Sequence, residues 1–180
     1  MKVIAITGFA QTGKNTVAQY LHDKYGYSIY SFVKYIDKEL RKQGKETTKE
    51  NESLAGDELR EKFGMDAIAK LLWSDVEKKK PEKTILVGLR SPEETAFIKK
   101  NSDEFYLIEV VADEDVRFQR RTKLDPHTKA EFLARDEKDA EEKGLGKVCE
   151  LADFPVENNH DLEHLYKQVN ELMEKWIGVK

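Results

Sequence analysis

Cysteine occurs once in the 180 residues, at Cys149, which excludes an intrachain disulfide and a cysteine-rich zinc site. Long apolar runs are missing as well. The first, Val3-Ile4-Ala5-Ile6, is too short for a signal-peptide core or a membrane span, so the sequence predicts a cytoplasmic protein with no membrane partner. There is no basic excess: 31 Lys and Arg stand against 35 Asp and Glu, a formal charge of -4, whereas a dedicated nucleic-acid binder needs the opposite balance for its phosphate contacts. No H-E-x-x-H, no G-x-S-x-G and no paired catalytic cysteine and histidine is present, so hydrolase chemistry gains no support. His160 and His164 stand four apart without a third ligand, and a solvated helix face accounts for them.

What is present suits one packed unit. Hydrophobic residues make up 39% and charged residues 37%, enough for one core under an ion-dense surface, and a single domain over 1–180 is expected. Apolar runs at Val3–Ile6, Thr84–Val87 and Phe105–Val111 are nearly continuous, as in strands covered on both faces; Ser28–Phe32 and Phe154–Glu157 are weaker candidates. Helical segments alternate with them at 14–25, 33–43, 53–63, 65–79, 92–101, 113–123, 128–143 and 161–176. The last carries Leu162, Leu165, Tyr166, Val169, Leu172, Met173 and Trp176 as one stripe. Strand and helix in alternation predict an α/β fold of three layers, α/β/α, around a five-stranded parallel sheet. Tyr20, Tyr25, Tyr27, Tyr30, Phe32 and Tyr35 surround the second strand, and core packing is their expected role.

The most specific chemical signal is Gly8-Phe9-Ala10-Gln11-Thr12-Gly13-Lys14-Asn15-Thr16, lying directly between the first strand and the first helix. The glycines let the chain wind round a phosphate, backbone N–H groups face the anion, and the helix adds the positive end of its dipole. A bare G-x-x-x-x-G-K match is weak; one in a strand-loop-helix unit predicts phosphate binding. Gly8, Ala10, Gln11, Thr12, Gly13, Lys14, Asn15 and Thr16 are therefore candidate nucleotide-binding residues, with Lys14 reaching the terminal phosphates. After the lysine, the usual hydroxyl that meets magnesium is replaced by Asn15, whose amide oxygen becomes the candidate metal contact.

With that loop, the segments Arg60-Glu61-Lys62-Phe63-Gly64, Gly88-Leu89-Arg90-Ser91-Pro92-Glu93-Glu94, Arg117-Phe118-Gln119-Arg120-Arg121 and Ala152-Asp153-Phe154-Pro155-Val156-Glu157-Asn158 carry a resemblance. The chain resembles the P-loop nucleotide and metabolite kinases over about residues 2–175. Within them it resembles one branch, similar to dephospho-CoA kinase, with relatives among archaeal adenylate-kinase-related proteins and deoxynucleoside monophosphate kinases. The resemblance implies a substrate-binding helical insertion at about 33–80 and an arginine-bearing lid at about 113–140. It also implies ATP and Mg2+ as cofactors, a small-molecule acceptor, and contacts to the base near Asn158 and Asn159, although a plain helix entry capped by Asn159 or Asp161 reads equally well.

Arg90 follows the third strand by three residues, at the edge where open parallel sheets bind ligands, and its planar fork suits an acceptor phosphate. A surface arginine paired with Glu93 or Glu94 is the plain alternative. Arg117 and Arg121, four apart on the helix expected at 113–123, would share a face and close over the transferring group as catalytic residues beside Lys14. Surface pairing with Glu114 and Asp115 is the alternative for them. Two carboxylates that the resemblance implies are absent: Val87 and Lys34 stand in their places, with Asp37 or Asp113 as candidate substitutes. Two functions follow, an ATP-dependent phosphotransferase acting on a nucleotide-like or phosphorylated acceptor, or a nucleotide-binding regulator that kept the cradle alone.

Overall fold

β1 (Lys2–Thr7) is fully buried from Val3 to Ile6, so both of its faces need cover. In the computed structural model, which describes residues 1–175, 177 and 178, it is the middle strand of five. The others are β2 (Ser28–Ser31), β3 (Lys83–Val87), β4 (Glu104–Val111) and β5 (Phe154–Glu157). Their order is β2-β3-β1-β4-β5, parallel throughout, with Ile6 beside Val87 on one side and Ile108 on the other.

Parallel neighbours cannot be joined by hairpins, so helices carry the chain from strand to strand. α1 (Lys14–Tyr25) follows β1, and α2 (Phe32–Lys42), α3 (Lys49–Phe63) and α4 (Ala67–Lys79) lie between β2 and β3. α5 (Pro92–Asn101) leads to β4; α6 (Glu114–Gln119), α7 (Lys129–Glu141) and α8 (Leu145–Glu150) lead to β5; α9 (Leu162–Lys175) ends the order. Alternate residues of the strands feed two cores. Val3, Ala5, Leu86 and Leu107 pack with Trp73, Ile98 and Val148. Ile4, Ile6, Ile85 and Ile108 pack on the opposite face with Val17, Leu21, Leu165, Val169 and Met173. The expected three-layer α/β/α arrangement is the one found. No helix among the described residues is long and apolar enough to cross a membrane.

Several boundaries differ from expectation for local reasons. α3 begins at Lys49 rather than 53, because the Thr48 side chain accepts the Asn51 N–H and caps it. The helix expected over 113–123 stops at Gln119. α8 is new, set off from α7 by Gly144 in the left-handed region. Asp161, not Asn159, caps α9: its carboxylate accepts the His164 N–H at 2.9 Å. Trp176, expected on the same stripe, lies outside the described residues. Tyr27, Tyr30 and Phe32 are buried in the cores, as packing requires.

A charged group is also part of the interior. Glu94 on α5 is fully buried, and its carboxylate accepts from Arg60 Nη2 of α3 at 2.8 Å and from the Arg90 backbone N–H at 2.8 Å. The same carboxylate closes a capping box with Ser91. Replacing it strands the guanidinium of Arg60, which is only 6% exposed. Glu94→Ala is therefore expected to lower the unfolding free energy by about 3–5 kcal/mol, read as a fall in the urea midpoint at unchanged slope.

Candidate phosphate-binding site

The loop between β1 and α1 is wound by its neighbours as much as by its own sequence. Gly8 has φ +131°, and a Cβ there would fall 2.4 Å from the Val110 carbonyl oxygen on β4. Gly13 has φ +99°, and its Cβ would fall 2.2 Å from Nδ2 of Asn158, which donates to the Thr12 carbonyl at 2.8 Å. Only glycine satisfies both conformation and space at these two places. Gln11 also takes a positive φ, 61°, and its amide donates to Asp125 Oδ2 at 2.6 Å. Backbone of this kind ahead of a helix is the type that forms anion nests.

Lys14 opens α1 and turns back over the loop, donating to the carbonyls of Gly8 at 2.7 Å and Phe9 at 2.5 Å. Loss of hydration, and secondly the charge of Arg90, pull its ammonium down to about 7, while Asp139 works in the opposite direction. Lys14, Arg90 and Asp139 are thus within electrostatic reach of one another at the carboxyl edge of the sheet. Arg90 Nη1 pairs with Asp139 Oδ2 at 3.0 Å, and Lys143 Nζ with Asp139 Oδ1 at 2.7 Å. Burial works to raise the Asp139 carboxyl, yet Arg90 and Lys143 outweigh it and hold it below the usual carboxylate range.

The arginines are distributed otherwise than the sequence suggests. Arg117 is buried, paired with Asp136 at 2.5 Å, and donates to the carbonyls of Ala10 at 3.2 Å and Ala112 at 3.1 Å. Its guanidinium lies between the rings of Phe9 and Phe132. Arg121 lies past the end of α6, exposed, donating to the Phe118 carbonyl at 3.0 Å and stacked 4.1 Å over that residue's ring. The shared helix face expected for Arg117 and Arg121 does not form, because α6 ends before it can present position 121. Arg90 pairs through its side chain with neither Glu93 nor Glu94; only its backbone N–H meets Glu94.

Asn158 and Asn159 brace the loop region: beyond the bond to Thr12, Asn159 Oδ1 accepts the Asp113 N–H at 2.7 Å. Asn15 is exposed in the first turn of α1, with Thr16 beside it. Val87 is buried beside Ile6 on the apolar face that packs with Val17 and Leu165, and Lys34 is exposed. Asp113 is exposed ahead of α6, and one oxygen of Asp37 is buried without a hydrogen-bond partner. His160 and His164 are exposed, and no group of three or more His, Cys, Asp or Glu that could hold a metal occurs among the described residues. Burial and then Glu109 push the Cys149 thiol up to about 12, which disfavours the thiolate.

Sequence reasoning passed over Asp125, Asp136, Asp139 and Lys143. Three of them lie with Phe132 at intervals of three and four along α7 and its end, a helical stripe that carries charge where apolar residues are normally sought. A cavity of about 450 Å³ opens beside Phe9, Arg117, Leu133 and Asp136. A larger one, about 870 Å³, lies at the opposite, amino edge of the sheet, lined by Met1, Trp73, Lys83 and Glu104.

No family model matches the chain. A UPF0200 protein of Thermococcus sibiricus is 30% identical over 186 residues, covering 99% of this chain and 96% of the relative. The chain belongs to the UPF0200 family. Another UPF0200 member, from Aeropyrum pernix, is 30% identical over 166 residues, 91% of this chain and 87% of its own length. A UPF0200/UPF0201 protein of Archaeoglobus fulgidus is 33% identical over 181 residues, and the chain spans 56% of that relative's length. Among solved structures, shikimate kinase from Bacteroides thetaiotaomicron superposes with a TM-score of 0.62 at 16% identity, over 96% of each chain. A sugar kinase from Janibacter sp. gives 0.57 at 16% identity, over 99% of this chain and 95% of its own. The UPF0200 chain therefore has the P-loop kinase fold.

With its ammonium near 7, Lys14 is mostly neutral at about pH 8, and a bound polyphosphate must draw a proton onto it. Calorimetry of ATP binding in Tris and in HEPES at about pH 8 is expected to show uptake of about one proton, fading toward about pH 6, where the ammonium is already charged. Lys14→Met should remove the difference between buffers; identical heats in the wild type at the higher pH would contradict the assignment.

Proposed function

We propose that this UPF0200 protein is an ATP-dependent phosphotransferase acting on a nucleotide-like or phosphorylated metabolite acceptor. The observation that carries the reading is the convergence of Lys14, Arg90 and Asp139 beside the glycine loop. Phosphoryl transfer depends on positioning and on neutralising charge, and those are what such a constellation supplies. The loop from Gly8 to Thr16 would cradle the nucleotide phosphates, with Lys14 neutralising the transferring group. Arg90, its side chain 42% exposed, would bind the acceptor. Arg121, on the exposed rim, is assigned to close over the reaction, whereas buried Arg117 would act by holding the loop carbonyl of Ala10.

The residues present fit a magnesium ion carried in with the nucleotide rather than one caged by protein. With no group of three or more His, Cys, Asp or Glu that could hold a metal among the described residues, its contact would be the Asn15 amide oxygen, and it would supply neutralisation of phosphate charge.

The test is acceptor-dependent ADP release from Mg-ATP with nucleoside monophosphates and dephospho-CoA as acceptors. Turnover is expected, with Lys14→Ala lowering kcat/KM by about 10²–10³-fold and the exposed Lys100→Ala leaving it unchanged. Tight ATP binding that is lost in Lys14→Ala, with no release toward any acceptor, would replace the enzyme by a nucleotide-binding regulator.

A further inference from the structure

The two carboxylates that kinases of this type are expected to carry after β2 and at the end of β3 are replaced by exposed Lys34 and buried Val87. A carboxylate meets Arg90, in the loop after β3, from a different element. Asp139, on α7, is 5% exposed. Oδ2 is fixed by Arg90 Nη1 at 3.0 Å, from the loop after β3. Oδ1 is fixed by Lys143 Nζ at 2.7 Å, and Lys143, only 3% exposed, is held in turn by Ser53 Oγ at 3.1 Å and Asp57 Oδ1 at 3.5 Å on α3. Three separate segments therefore locate this one side chain, and its charge reaches the Lys14 ammonium. By contrast Asp136 is turned to Arg117 and Asp125 to Arg135 and Gln11, on the side of the loop.

A carboxylate held between a guanidinium and an ammonium stays ionised, and an ionised carboxylate only accepts hydrogen bonds. In a phosphate-binding crevice this has a chemical consequence. It can take the hydrogen of an alcohol, but it repels the anionic oxygen of a phosphate.

We propose that Asp139 accepts the hydrogen of the attacking group, and that this group is an alcohol hydroxyl of the acceptor rather than a phosphate oxygen. The inference rests on the phosphotransferase reading and narrows it. The hydroxyl oxygen forms the new bond to the γ-phosphorus, the bond from that phosphorus to the β,γ-bridging oxygen breaks, and its electron pair leaves with ADP. The hydroxyl proton passes to Asp139 and from there to water. A strong base is unnecessary, since the loose transition state asks for orientation first and proton removal late.

The product decides the matter. Phosphorus NMR of reactions with Mg-ATP and either dephospho-CoA or AMP separates a new phosphate ester from a new diphosphate, whichever acceptor turns over. An ester is expected. Asp139→Asn is expected to lower its kcat by about 10²-fold with the acceptor KM changed by less than about threefold, and Asp139→Glu to recover part of the loss. Circular dichroism and the thermal midpoint of each variant separate loss of fold from loss of function, and the split between kcat and KM separates orientation from mere pairing with Arg90. A diphosphate product, or an ester formed equally fast by folded Asp139→Asn, overturns this inference and leaves the phosphotransferase standing. Absence of any product in the wild type overturns both.

Discussion

A guanidinium taken out of water needs a counter-charge, and the carboxyl edge of this sheet is organised by that requirement. Of the seven arginines in the chain, four are matched each to one carboxylate: Arg60 to Glu94, Arg90 to Asp139, Arg117 to Asp136 and Arg135 to Asp125. Each pair joins two separate segments of the chain. Arg60 with Glu94 ties α3 to the start of α5, Arg90 with Asp139 ties α7 to the loop after β3, and Arg117 with Asp136 ties α7 to α6. The apolar cores hold the layers together; these pairs decide how the helices beyond the strand ends are set round the glycine loop.

That choice of glue suits a crevice. A buried ion pair gains little over well-packed apolar groups of the same volume, because the attraction is offset by lost hydration. An apolar stripe on α7 would lose its whole burial on meeting water, whereas Asp136, Asp139 and Lys143 exchange one set of polar partners for another. Gln11 and Ala10 connect the same helix region to the phosphate loop through Asp125 and Arg117, so the segment after β4 and the loop cannot shift independently. The apolar contacts of α7 are concentrated at Phe132, which is fully buried and edge-on to Phe118 at 5.8 Å.

The layers and the phosphate loop were legible in the sequence because each is encoded by neighbours in the chain. Val3 to Ile6 is apolar on both faces, and only a parallel strand needs that; Gly8 and Gly13 bracket a lysine directly after it. What could not be read was the partner of each charge. The spacing of Arg117 and Arg121 suggested one helix face, but α6 ends at Gln119, and a stop with no proline or glycine in the sequence leaves no local mark. The inward charges of α7 carry no local mark, because their counter-ions, Arg90 and Arg117, come from other elements. Asn158 illustrates the same limit: a residue near the end of the chain fixes Gly13 near its beginning.

The substitutions at Val87 and Lys34 gain a different meaning from this geometry. Position 87 lies in register beside Ile6 on the face that packs against α1 and α9, so its side chain belongs to an apolar core, and a valine there is the packing solution. On the phosphotransferase reading the carboxylate of the crevice comes from elsewhere, and α7 is the element whose inward stripe already carries acids to balance Arg90 and Arg117. Asp139 is placed by the same ion pairing that lets Arg90 stand at the crevice. Removing the acid would leave that arginine and the Lys14 ammonium facing each other uncompensated, and Arg90 already depresses the ammonium. The acid that balances Arg90 is thus held beside the cation assigned to the acceptor.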